Sequence, residues 1–176
     1  MTQTSLRLAA LTAFSTLLAA PALAAAPQPT KPVAASFFTG QWHEIARTQN
    51  SMQKNCEAPT NRFVSAAKGG YSMVQTCRQG SPTGPAKTYS SKGQIVPGSN
   101  NAKFKMSFLG GLKTQEYWIV DRSDKMDWAV MATPGGNYVW LLSRSPDMSA
   151  GTRNAIVQKI KAMGFDTGKL VFPKQR

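Results

Sequence analysis

At 176 residues the chain holds one domain's worth of polypeptide. Its 21 Lys and Arg against 8 Asp and Glu leave a net charge of +13, which favours anionic partners such as phospholipid headgroups, lipopolysaccharide phosphates or nucleic acid. A single histidine and two cysteines exclude a metal centre built from several His and Cys ligands.

Residues 1–24 read as a signal peptide. Met1 to Arg7 is a short basic start, and Leu8 to Ala20 is an uncharged apolar run too short to stay in a bilayer as a spanning helix. Pro21 breaks the run, and Ala22-Leu23-Ala24 supplies the small-x-small pattern of a cleavage site, with cut points after Ala24 or Ala26. The first cysteine is Cys56, so no lipid-bearing cysteine stands near that site, and the mature protein is expected to be soluble in the periplasm. Export ranks nucleic acid last among the anionic partners. Residues 25–36, with Pro27, Pro29 and Pro32, read as an extended leader with no core to bury. The folded domain is expected over residues 37–173.

Eight strand-like runs follow, separated by turn residues at roughly 8–14-residue spacing, the pattern of an all-β sandwich or barrel. They are Gln41 to Arg47, Asn61 to Ala66, Tyr71 to Cys77, Lys87 to Val96, Ala102 to Leu109, Glu116 to Asp121, Asp127 to Ala132 and Asn137 to Arg144. Alternation is clearest in Lys103-Phe104-Lys105-Met106-Ser107-Phe108, apolar on one face and wet on the other. Folding the chain at Lys68-Gly69-Gly70 brings Cys56 and Cys77 nearly opposite each other. In an oxidising compartment this points to one disulfide, with two free thiols as the alternative. Ser149 is a candidate N-cap for a helix over Ala150 to Met163. Ile156, Ile160 and Met163 share one face of it, and Gly164 ends it. Leu170-Val171-Phe172 suits one further strand beside the barrel.

Phe38-Thr39-Gly40-Gln41-Trp42 resembles the first lipocalin motif, in which Gly-x-Trp opens the first strand. Tyr138-Val139-Trp140-Leu141-Leu142-Ser143-Arg144-Ser145-Pro146 resembles the third. With the strand count between them and the helix and Gly164-Phe165-Asp166 after them, the chain is similar to the lipocalins, in the branch of the bacterial outer-membrane lipocalins, plant temperature-induced lipocalins and apolipoprotein D. The resemblance implies an all-β, eight-stranded antiparallel up-and-down barrel with one C-terminal helix. It also implies that Arg144 packs across the Trp42 indole and bonds nearby carbonyls. The second motif departs from the pattern: Asp121-Arg122-Ser123-Asp124-Lys125-Met126 offers Asp124 as the acid and Met126 where a Tyr is expected. On physical grounds alone, Gly40 permits a tight strand entry and Trp42 is large enough to plug one end of a small barrel.

No catalytic constellation emerges, and neither a cofactor nor a metal is implied. A Ser-His-Asp triad would need His43, which lies in a strand beside Trp42. Glu44 shares parity with Trp42 and so points inward, toward either a ligand headgroup or a structural partner. The expected site is the barrel interior, wide enough for one small ligand. Alternation selects Phe104, Met106 and Phe108, then Tyr117 and Ile119, then Trp128 and Val130, then Tyr138 and Trp140. The expected function is binding of a fatty acid, lysophospholipid or similar amphiphile, without chemistry. A second reading is a filled barrel whose basic surface docks on anionic membranes.

Overall fold

In the computed structural model, which describes residues 25–176, the strands are β1 (Gly40–Thr48), β2 (Cys56–Ala66), β3 (Gly70–Gln79), β4 (Ala86–Ile95), β5 (Lys103–Phe108), β6 (Lys113–Arg122), β7 (Trp128–Ala132), β8 (Val139–Ser143) and β9 (Leu170–Val171). Helix α1 (Ala150–Ala162) precedes β9. The expected signal peptide lies outside the described residues. Each of β2 to β7 pairs antiparallel with the next; β8 pairs with β1, and β1 returns to β2, closing an eight-stranded barrel. β9 extends the sheet beside the end of β1, with Arg47 opposite Val171.

The strand runs read from the sequence sit on the right elements, with shifted ends. The largest shift is in β2, which starts at Cys56 rather than Asn61. Pro59 hid that start, since proline lacks the ladder donor. It is accommodated because the pairing with β3 slips between Glu57 and Thr60, where Ala58 takes a φ of 41°. Cys56 and Cys77 form a disulfide, with Cα atoms 5.2 Å apart.

Two apolar layers form. The inner one fills the closed end of the barrel, where the 3-10 turn Ala35–Phe38 inserts Phe37 and Phe38 against Trp42, Phe63, Tyr71 and Phe104. The Phe38 ring lies 4.7 Å from Phe104 and 5.4 Å from Tyr71, and the Tyr71 hydroxyl donates to the Ala35 carbonyl. The outer layer lies between β1, β7, β8 and α1, with Ile156 and Ile160 of the helix on Ile45, Val130 and Leu141. Ser149 caps α1 by accepting from the Thr152 amide at 3.1 Å, and Gly164 follows the helix with a φ of 91°.

The Ala/Pro-rich leader does bury side chains, contrary to expectation. Val33 joins the inner layer and Ala26 the outer. Lys31 pairs with Asp121 at 2.8 Å, and the Arg122 guanidinium donates to the Pro32 carbonyl. Prolines hold this segment extended, and an extended strap can be bonded along its length by side chains of the barrel floor.

The turn between β6 and β7 also departs from expectation. Asp127, not Asp124, is the acid that closes it. Its carboxylate accepts from the Ser123 hydroxyl at 2.5 Å, while that hydroxyl accepts from the Asp127 amide at 3.0 Å. Asp124 projects into solvent. Met126, with a φ of 57°, packs on the inner layer where the family pattern has a Tyr.

Gly93 faces inward, directly opposite Met106 of β5. A Cβ there would stand 2.3 Å from the Met106 sulfur, which is itself buried. Gly93→Ala is therefore expected to destabilise the barrel by about 1–3 kcal/mol through overpacking. A urea midpoint within error of wild type would show that Met106 has room to move aside.

Candidate functional site

Pairing register fixes which side chains enter the barrel. Phe104, Met106, Phe108, Tyr117, Ile119 and Trp140 of the expected site all belong to the inner layer. Tyr138 sits just before β8, exposed at the rim, with its ring 6.1 Å from Trp140. Trp128 and Val130 are not in the interior; they pack under α1, and Lys159 lies 5.5 Å above the Trp128 ring. Ile119 stands opposite Met131 and Met131 opposite Trp140, so Ala129 and Met131 face inward and the expected alternation along β7 is off by one. One slipped residue exchanges the two faces of a strand. Both faces of β7 are apolar, one for the lumen and one for the helix, so alternation carried no signal there.

Depth divides the interior. Phe104, Met106 and Ile119 are buried in the packed floor. Toward the open end, Met73, Gln75, Tyr89, Phe108, Gln115 and Tyr117 lie at inward register positions yet are only half-buried. Tyr117 stacks on Phe104 at 5.5 Å and meets Trp140 edge-on at 5.6 Å. Burial, with the Glu44 charge as a smaller cause, pushes its phenol up to about 12 and keeps a neutral hydroxyl facing the lumen.

A polar group sits on the β1–β2–β3 wall. Glu44 points inward as expected and is fully buried. Its carboxylate accepts from Gln53 at 2.5 Å, Asn61 at 2.8 Å and Gln75 at 2.8 Å. Three amide donors satisfy a buried carboxylate without a direct ion pair. Arg47 also points inward, opposite Trp140, although strict alternation from Trp42 would send it outward. A bulge between Glu44 and Ala46 makes the difference. Its guanidinium donates to the carbonyls of Gln53 at 3.1 Å and Cys56 at 3.0 Å, both over the open end. Burial lowers its pKa, partly offset by Glu44 and Glu57. Sequence reasoning missed Arg47, Gln53, Asn61 and Gln75. Only the inward parity of Glu44 hinted at a polar wall.

The barrel wall is notched on one side. β5 ends at Phe108 and pairs with β4 only over Lys92–Ile95, leaving Ala86 to Ser91 without a neighbour on that edge. A cleft of about 380 Å³ opens there, lined by Met73, Ser91, Lys92, Leu109 and Gly110 among others. Beside it the β5–β6 turn holds Leu109 and Leu112 out at 74% and 91% exposure. With Met52 and Tyr138 they give the mouth an apolar rim, and Lys87 and Lys113 stand next to it. A second groove, about 310 Å³, lies on the outer face, edged by Lys92 and Lys105.

At the closed end, Gly40, Trp42 and Arg144 act together. The Arg144 guanidinium lies 3.8 Å from the Trp42 ring centre and donates to the carbonyls of Gln41 at 3.0 Å and Phe37 at 2.5 Å. Gly40, at a φ of 94°, lets the strand begin beneath it. His43 faces outward near Gln41, away from the lumen. Burial and the Arg176 charge lower its pKa.

Residues 33–175 match the family model described as a lipocalin-like domain. The outer membrane lipoprotein Blc of Vibrio cholerae serotype O1 is 28% identical over 154 residues, covering 85% of this chain and 89% of that protein. Temperature-induced lipocalin-1 of Arabidopsis thaliana is 25% identical over 140 residues, covering 76% and 74%. Among solved structures, insecticyanin of the tobacco hornworm Manduca sexta aligns with a TM-score of 0.66 at 19% identity, covering 84% of this chain and 83% of that one. Lobster apocrustacyanin A1 aligns with a TM-score of 0.62 at 15% identity, covering 80% and 79%.

Proposed function

This chain belongs to the lipocalin-like family, and on that premise we propose that it carries a single-chain amphiphile, a fatty acid or lysophospholipid, in the open half of its barrel, making and breaking no bond. The half-buried, inward-facing set of Met73, Gln75, Tyr89, Phe108, Gln115 and Tyr117 carries this reading. Side chains that face a lumen and still meet solvent mark space that a ligand can take. Their mixture of thioether, aromatic and amide groups suits a chain with a polar end. At about 0.8 kcal/mol per buried methylene, about ten methylenes contribute about 8 kcal/mol, enough for micromolar binding.

Native mass spectrometry on protein purified without detergent tests this. The expected result is one lipid per chain, or its uptake on incubation with oleate or lysophosphatidylcholine. A mass that stays bare with both would overturn the carrier reading. Met73→Trp is expected to fill the lumen and cut oleate affinity at least tenfold while leaving the thermal midpoint near wild type. Unchanged affinity would place the ligand elsewhere.

The work is proposed to take place in the cell envelope. The signal-peptide pattern of residues 1–24, the disulfide and the similarity to an outer membrane lipoprotein support that location. Exposed Leu109 and Leu112 next to Lys113 also favour a docking role, with the rim touching an anionic bilayer during exchange. Co-sedimentation with phosphatidylglycerol vesicles should weaken in Leu109→Ser/Leu112→Ser. Equal sedimentation of the two proteins would remove the rim from that role.

A further inference from the structure

Arg47 is the least satisfied charged group in the barrel interior. It is 2% exposed, and its Nε and Nη1 are buried without any hydrogen-bond partner. Only Nη2 is engaged, by the carbonyls of Gln53 and Cys56. Glu44, the nearest acid on the same strand face, does not complete it. The Glu44 oxygens already accept from Asn61, Gln75 and Gln53, and no ion pair joins it to Arg47 among the described residues. A buried guanidinium presents its donors as a planar fork, and that fork matches a carboxylate or phosphate.

We propose that Arg47 anchors the oxyanion headgroup of the carried amphiphile, through its Nε and Nη1, beneath the turn Asn50–Gln53. The inference rests on the carrier reading and adds the class and orientation of the ligand. The headgroup is anionic and sits against β1 by Trp140, with the chain running across the lumen toward Tyr117 and Met73.

The turn over Arg47 is the part that must lift to admit the headgroup. It is a single 3-10 turn, held by the Gln53 amide to Asn50 at 3.0 Å and by the Gln53 side chain on Glu44. Its neighbours Ser51, Met52 and Lys54 are exposed. Arrival of an oxyanion costs the Gln53 carbonyl contact of Nη2 and adds charge-assisted bonds to Nε and Nη1, which otherwise have no partner.

Calorimetric titration of the purified protein with oleate, 1-oleoyl lysophosphatidate and oleyl alcohol tests the anchor. At least one anion is expected to bind ten times more tightly than the alcohol. Arg47→Gln should remove that advantage and leave the alcohol unchanged. A preference for oleate names a carboxylate, and a preference for lysophosphatidate a phosphate monoester. Equal wild-type affinity for all three overturns the anchor and leaves the carrier standing, whereas no binding of any overturns both. Should Arg47→Gln not fold, nitrogen-15 spectra of the wild type decide. An arginine Nε–H resonance should shift with the anion and not with the alcohol, and no shift overturns the proposal.

Discussion

Replacing Trp42 by alanine is expected to lower the unfolding free energy by about 3–5 kcal/mol, the range for a large buried aromatic. The indole is 1% exposed and lies 4.8 Å from Phe37, the residue that begins the barrel floor. Its other face carries the Arg144 guanidinium. Alanine would open a cavity between two groups that cannot close it, because Arg144 is tied to the Gln41 and Phe37 carbonyls. The loss would therefore include packing on both sides and the cation–π contact, which contributes about 0.5–2 kcal/mol. Trp42→Phe should cost much less, since the Trp42 Nε1 has no hydrogen-bond partner to lose. Urea unfolding of both variants, with Arg144→Ala to complete a double-mutant cycle, measures this. A Trp42→Ala loss below about 1 kcal/mol would mean that the floor is held by the Phe37–Phe38 turn alone.

Opening the Cys56–Cys77 disulfide is expected to cost about 3 kcal/mol, the loop-closure value for a separation of 21 residues. The bond joins the first residue of β2 to β3 near the mouth. That is where β2 is least regular, with Ala58 in a left-handed conformation and Pro59 unable to donate to the ladder. Without the link, residues 56–59 have a weakened pairing with β3 to hold them. The effect should extend to the lumen, because the Cys56 carbonyl is one of the two acceptors for Arg47. Comparing wild type with and without reductant, and with Cys56→Ser/Cys77→Ser, should show a fall in the urea midpoint in both cases. The same midpoint in all three would show that pairing alone holds the start of β2.

The amino-acid sequence by itself determined an all-β domain of eight strands, the helix after it and much of the interior, and its resemblance to the lipocalins selected a barrel over a sandwich. β5 illustrates why: Phe104, Met106 and Phe108 alternate with Lys103, Lys105 and Ser107 because one face meets the core and the other meets water. Gly40 and Trp42 were legible as a tight strand entry and a large plug, and the resemblance to the lipocalins pointed to Arg144 above the indole. The tertiary structure decided what happened wherever both faces of a strand are buried or a bulge resets the count. Trp128 and Val130 turned to the helix because β7 is apolar on both sides and it is Met131 that pairs with the inward Ile119 and Trp140. Arg47 turned into the lumen because of the bulge in β1, and with it came the amides of Gln53, Asn61 and Gln75. Alternation has a period of two and no memory of which face came first, so a single extra residue within a strand is enough to exchange inside and outside beyond it.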